Sequence, residues 1–82
     1  MISGFYTYFE MVKDKYQLKC ITMSAIYRKP TLKIYVLGKD VPVISLECDS
    51  LDELYLEAYN ELVTWVKQQE NITKVIPISS SL

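Results

Sequence analysis

The chain has 82 residues, of which 23% are charged and 50% hydrophobic, with two glycines, three prolines and a net charge of −1. That length allows one small domain, and those proportions exclude a disordered, collagenous or low-complexity chain. Histidine is absent, which removes the commonest general acid/base at neutral pH and the commonest metal ligand.

Residues 5–12 are rich in aromatic and β-branched side chains. Read as a strand, Phe5, Thr7, Phe9 and Met11 share one face while Tyr6, Tyr8 and Val12 share the other. Lys13-Asp14-Lys15 then reads as a hairpin turn, and residues 16–27 as a second strand. Arg28-Lys29-Pro30-Thr31 is punctuation, because proline lacks an N–H and biases the preceding residue to an extended conformation. Residues 32–37 form a third strand, Gly38-Lys39-Asp40 a tight turn, and residues 41–47 a fourth strand with Pro42 at its entry.

The hydrophobic period then changes. Ser50-Leu51-Asp52-Glu53 is a capping box, and a helix follows to about residue 69, with Lys67 near its C-terminal end. Residues 74–78 read as a short extra strand and residues 79–82 as a frayed tail. The chain is thus one α+β domain over residues 1–82: a four-stranded antiparallel meander packed on one long C-terminal helix, ββββα. A helix at residues 3–12 gives the alternative αβββα, the order found in double-stranded RNA-binding domains.

On the long helix, 100° steps gather Leu51, Leu54, Tyr55, Ala58, Leu62, Trp65 and Val66 into a core stripe. Leu56, Tyr59 and Val63 widen that stripe beyond what one small sheet needs. With Val41 and Val43 of the expected edge strand they are the candidate surface for a partner protein or for a symmetric homodimer, which a domain this short in core would benefit from forming. Glu53, Glu57 and Glu61 form an acidic ridge. It is either a solvated face or a surface that occupies a partner's basic groove in place of phosphate.

Charge is unevenly spread. Residues 1–46 carry seven basic and three acidic side chains, +4, whereas residues 47–82 carry two and seven, −5. Tyr16, Tyr27 and Tyr35, interleaved with Lys19, Arg28 and Lys33, outline a candidate nucleic-acid face on the strands. The same tyrosines suit a protein interface or a half-buried sheet surface equally well.

No catalytic constellation is legible. The two glycines, Gly4 and Gly38, form no phosphate loop, and no nucleophile has a histidine to activate it. Cys20 and Cys48 have 27 residues between them, neither a zinc knuckle nor a redox pair, and sit among apolar neighbours as buried free thiols would. The expectation is a non-enzyme with no cofactor and no metal. With no basic n-region and apolar h-region at the N-terminus and no apolar run near 20 residues, neither a signal peptide nor a membrane partner is expected, and the cytoplasm is the expected compartment.

Ser50-Leu51-Asp52-Glu53 followed by Ala58 and Trp65 resembles the helix of HicB-like antitoxins over about seventeen residues, although the Gly-Cys segment preceding that helix in the family has no counterpart here. Residues 32–69, with Val41-Pro42-Val43 before an acidic-capped helix ending near Trp65, are similar to small uncharacterised early proteins of phages of Gram-positive bacteria. The phage resemblance implies a short accessory protein, acting in the host cytoplasm, that inhibits or modulates a host or phage protein by binding it. A nucleic-acid-binding module built on the tyrosine- and lysine-rich strands is the other reading.

Overall fold

The computed structural model describes the backbone of residues 2–80 and the side chains of residues 4–71. The element order is α1 (Ile2–Tyr16), β1 (Leu18–Ala25), β2 (Arg28–Val36), β3 (Ile44–Glu47) and α2 (Leu51–Ser80). The fold is α+β, with three antiparallel strands in the order β1-β2-β3 and both helices packed on one face of the sheet. The order is therefore αβββα and not the expected ββββα.

Residues 5–12 are helix, and Lys13-Asp14-Lys15 is its last turn, not a hairpin. Aromatic enrichment favours strands only where the pleated surface is half-buried. Here a competing period decides, because Phe5, Phe9, Val12 and Tyr16 recur at four, three and four residues and form one helical stripe against the core. Thr7 and Met11, which the strand reading placed with Phe5 and Phe9, are exposed. Lys13 and Lys15 lie at the negative end of the helix dipole. Gln17, at φ 55°, takes the left-handed conformation that stops the helix, and the chain enters β1 at the next residue.

β1 pairs β2 from Leu18↔Val36 to Ala25↔Arg28, so Arg28-Lys29-Pro30-Thr31 begins a strand where a break was expected. The turn is Ile26-Tyr27, and a register shift between Met23 and Ala25 absorbs the mismatch of a tip that has no positive-φ residue. Pro30 is tolerated because β3 pairing begins only at Thr31↔Glu47. The proline carbonyl still accepts the Cys48 N–H at 3.3 Å. β3 is shorter than the expected strand at residues 41–47. Val43 instead donates its N–H to the Ile34 carbonyl at 2.8 Å from the end of the β2–β3 connection.

The start of α2 is as expected: the Glu53 N–H donates to Ser50 Oγ at 3.2 Å, and Asp52 and Glu53 occupy the first turn. Its extent is not, since residues 74–78, expected as a strand, lie inside the helix range. Of the expected frayed tail, residues 79 and 80 are helical and residues 81–82 lie outside the described residues.

The core is one cluster: Phe5 and Phe9 from α1, Leu18, Leu32, Ile34 and Ile44 from the sheet, and Leu54, Tyr55, Ala58, Leu62 and Val66 from α2. Leu51, expected in that stripe, is exposed, and Trp65 only borders it. Four aromatic pairs then stitch α1 to α2, beginning with Phe5 and Tyr55 at 5.6 Å between ring centroids. Tyr6 meets Tyr55 at 5.4 Å between ring centroids, Tyr8 meets Tyr59 at 5.8 Å, and Tyr16 meets Trp65 at 5.4 Å, the last two edge-on. Since the pairs advance together along both helices, α1 and α2 run side by side in the same direction.

Candidate functional site

The seam leaves a groove on the side of the helix pair turned away from the sheet. Gly4, Thr7, Tyr8 and Met11 line it from α1 and Leu56, Tyr59 and Asn60 from α2, around ≈ 610 Å³. The α1 residues fall at i, i+3, i+4 and i+7, a second stripe beside the core stripe of the same helix. Among the described residues no charged side chain lines the groove, although 23% of the chain is charged. Met11 is 72% exposed, and Leu56 and Tyr59 about two-fifths so, which leaves apolar surface in water on both walls.

Of the residues proposed as a partner or dimer surface, the structure places Leu56 and Tyr59 in this groove. Val63, one turn further along α2, is half-buried. Val41 and Val43 are exposed on the connection between β2 and β3 and do not line the groove. Gly4, Thr7, Tyr8 and Met11 were missed, because their spacing becomes meaningful only once residues 2–16 are read as a helix.

The residues proposed as a nucleic-acid face are divided. Tyr16 belongs to α1, with its ring against Trp65 and the Lys15 ammonium 5.4 Å from its centre. Tyr27 and Arg28 stand at the β1–β2 turn, where Tyr27 is 95% exposed beside an equally bare Ile26. Lys19, Lys33 and Tyr35 do come together on the sheet face opposite the helices: Lys19 pairs with Tyr35, and Lys33 is flanked by Ile21 and Ser45. Tyr6 and Tyr8 point into the helix seam, so one tyrosine, not a row, remains on that face.

Glu53, Glu57 and Glu61 are exposed on α2, and by helical arithmetic they lie on the flank away from α1. Asp49, just before the helix, pairs with Lys29 at 3.1 Å, which ties the start of β2 to the start of α2. Partial burial, with the carboxylates of Glu57, Glu53 and Asp49 adding to it, raises the Cys48 thiol above its ordinary value.

Cys20 is a half-buried free thiol on the helix face of β1, and burial pushes it up to about 11. Protonated thiols of this kind are poor nucleophiles. The Tyr6 and Tyr55 hydroxyls bond each other at 3.0 Å; that bond first, then burial, pushes Tyr6 up to about 12. Among the described residues no three or more Cys, Asp or Glu gather as metal ligands, and no helix is long and apolar enough to cross a membrane. No protein family, no curated protein and no solved structure matches the chain.

Proposed function

We propose that this chain is a small non-catalytic protein-binding module whose α1–α2 groove seats an apolar segment of a partner protein. The uncharged lining of that groove carries the reading: Thr7, Tyr8 and Met11 on one helix face Leu56, Tyr59 and Asn60 on the other. An amphipathic helix laid between two others in this way buries its apolar face at helical spacing, a common mode of peptide recognition. Both thiols are raised, and no histidine is present to activate a hydroxyl, which further favours binding over catalysis. The phage resemblance of residues 32–69 suits an accessory protein that inhibits or modulates a host or phage component, working in the host cytoplasm.

Nucleic-acid binding is the second reading, supported by Lys19, Lys33 and Tyr35 on the open sheet face. Against it, the N-terminal end of α2, where a helix best receives phosphate, is occupied by Asp49, Asp52, Glu53 and Glu57.

The test is affinity capture with wild type and with Met11→Lys and Leu56→Lys, beside anisotropy with single- and double-stranded oligonucleotides at two salt concentrations. A stoichiometric protein captured by wild type and lost with both variants is the expected result. Salt-sensitive oligonucleotide binding abolished by Lys19→Ala/Lys33→Ala, with no groove-dependent protein, would transfer the assignment to the second reading.

A further inference from the structure

The two outer strands of the sheet are not equally defended. β3 is four residues long and is entered from Pro42, two of the usual ways of blunting an edge. β1 has eight residues, no proline, one charged residue (Lys19), and a register shift only at its last turn. Among the described residues its free side is not roofed either. Thr22 stands on the helix side of the sheet opposite the buried Leu32, yet is itself exposed, as is every β1 residue after Cys20.

The hydrogen-bond phase of that free edge is fixed. The Gln17 carbonyl accepts the Leu37 N–H at 2.8 Å, so positions 17, 19, 21 and 23 exchange bonds with β2. In an antiparallel ladder the alternate residues point the other way. The N–H and C=O groups of Leu18, Cys20, Thr22 and Ser24 therefore face outward, and no strand among the described residues receives them.

We propose that β1 is a self-pairing edge: two copies of this chain join β1 to β1, antiparallel, about a two-fold axis at Ile21, making one continuous six-stranded sheet. Keeping the helices of both copies on one side requires even positions to pair with even ones, because a slip of one residue would set the helix face of one copy against the open face of the other. Of the allowed registers, the one centred on Ile21 uses the outward groups most completely, with Cys20 opposite Thr22, Thr22 opposite Cys20, and Leu18 opposite Ser24.

The side chains on that edge complement themselves. On the open face Ile21, 42% exposed, meets Ile21 of the other copy, and Lys19 meets Met23, which is 66% exposed. No like charges stand opposite, and the one ammonium on the strand lies over an apolar partner. A foreign strand would need the same pattern by coincidence, whereas a second copy carries it by symmetry.

The full chain, sedimented from low to high micromolar concentration, tests this. Wild type is expected at twice the 9.6 kDa chain mass. Thr22→Pro removes an N–H that the isolated sheet does not use, and Ile21→Lys sets two ammonium groups face to face at the axis. Both are expected to sediment at the chain mass with the far-UV circular dichroism of wild type, and Ile21→Lys decides should Thr22→Pro fail to fold. In a Cys20→Ser/Cys48→Ser background, Ile21→Cys is expected to cross-link on oxidation, because it faces itself, and Thr22→Cys is not. A wild type that stays monomeric throughout overturns the proposal. So does a folded Ile21→Lys variant that remains dimeric, or cross-linking stronger through Thr22→Cys. Leu56→Lys, which alters the groove, is expected to leave the dimer mass unchanged, so loss of groove binding and loss of edge pairing are read separately.

Discussion

On the helix side of the sheet, Leu32 and Ile34 are fully buried and Ile44 is 5% exposed, whereas one residue along the neighbouring strand Ile21 and Met23 stand at 42% and 66%. Residues of similar hydrophobicity thus do different work on the two faces. Toward α1 and α2 they close the single core; away from them they lie in water and are available for contact. A two-layer domain of this size stabilises itself through one face only, so substitutions of equal chemical size should differ sharply in cost between the faces.

The largest effect is expected from Ile34→Ala, which opens a cavity between sheet and helices and should cost ~2–5 kcal/mol in urea unfolding. A loss near that of an exposed residue would mean that the helix layer is not the stabilising one. Tyr55→Phe breaks the hydroxyl pair with Tyr6 and should cost ~1 kcal/mol, with the tyrosine absorbance titration of Tyr6 moving down from about 12. Because folding raises the Tyr6 pKa, its contribution is full below pH 10, the ordinary tyrosine value, and disappears as pH rises from there toward 12. Wild type should therefore lose stability across that alkaline window, and Tyr55→Phe should lose less. Ser50→Ala removes the acceptor for the Glu53 N–H and should also cost ~1 kcal/mol. Its effect should be insensitive to pH in the alkaline range. The smallest effect is expected at Ile21→Thr on the open face, within about 0.5 kcal/mol in the monomer, and measurement at low protein concentration separates it from any effect on pairing.

Those differences also mark what could be read from residues alone. α2 was legible because two independent signals coincide there: a capping box at Ser50–Glu53 and a 3.6-residue stripe from Leu54 to Val66. α1 was not, because Phe5, Tyr6, Tyr8 and Phe9 satisfy the strand period and the helix period nearly equally. What decides between them is contact with Tyr55, Tyr59 and Trp65, which no local window contains. The groove was half legible for the same reason: Leu56 and Tyr59 stood out as surplus on a known helix, while Met11 and Thr7 needed α1 first. The tyrosine face was legible only in part, since Tyr16 closes α1 against Trp65 and Tyr27 sits in the β1–β2 turn, leaving Tyr35 on the open sheet face beside Lys19.

The α1–α2 seam has a kinetic consequence. Tyr6 and Tyr55 are 49 residues apart in the chain, and the other three aromatic pairs are comparably distant, whereas the β1–β2 hairpin closes over two residues. Forming any one seam contact encloses most of the sequence in a loop, an entropic cost that the hairpin and the C-terminal helix do not share. The hairpin and α2 are therefore expected to condense before α1 docks, with the seam largely unmade at the folding barrier. Weakening Tyr8–Tyr59 or Tyr16–Trp65 should accelerate unfolding while leaving the refolding rate nearly constant.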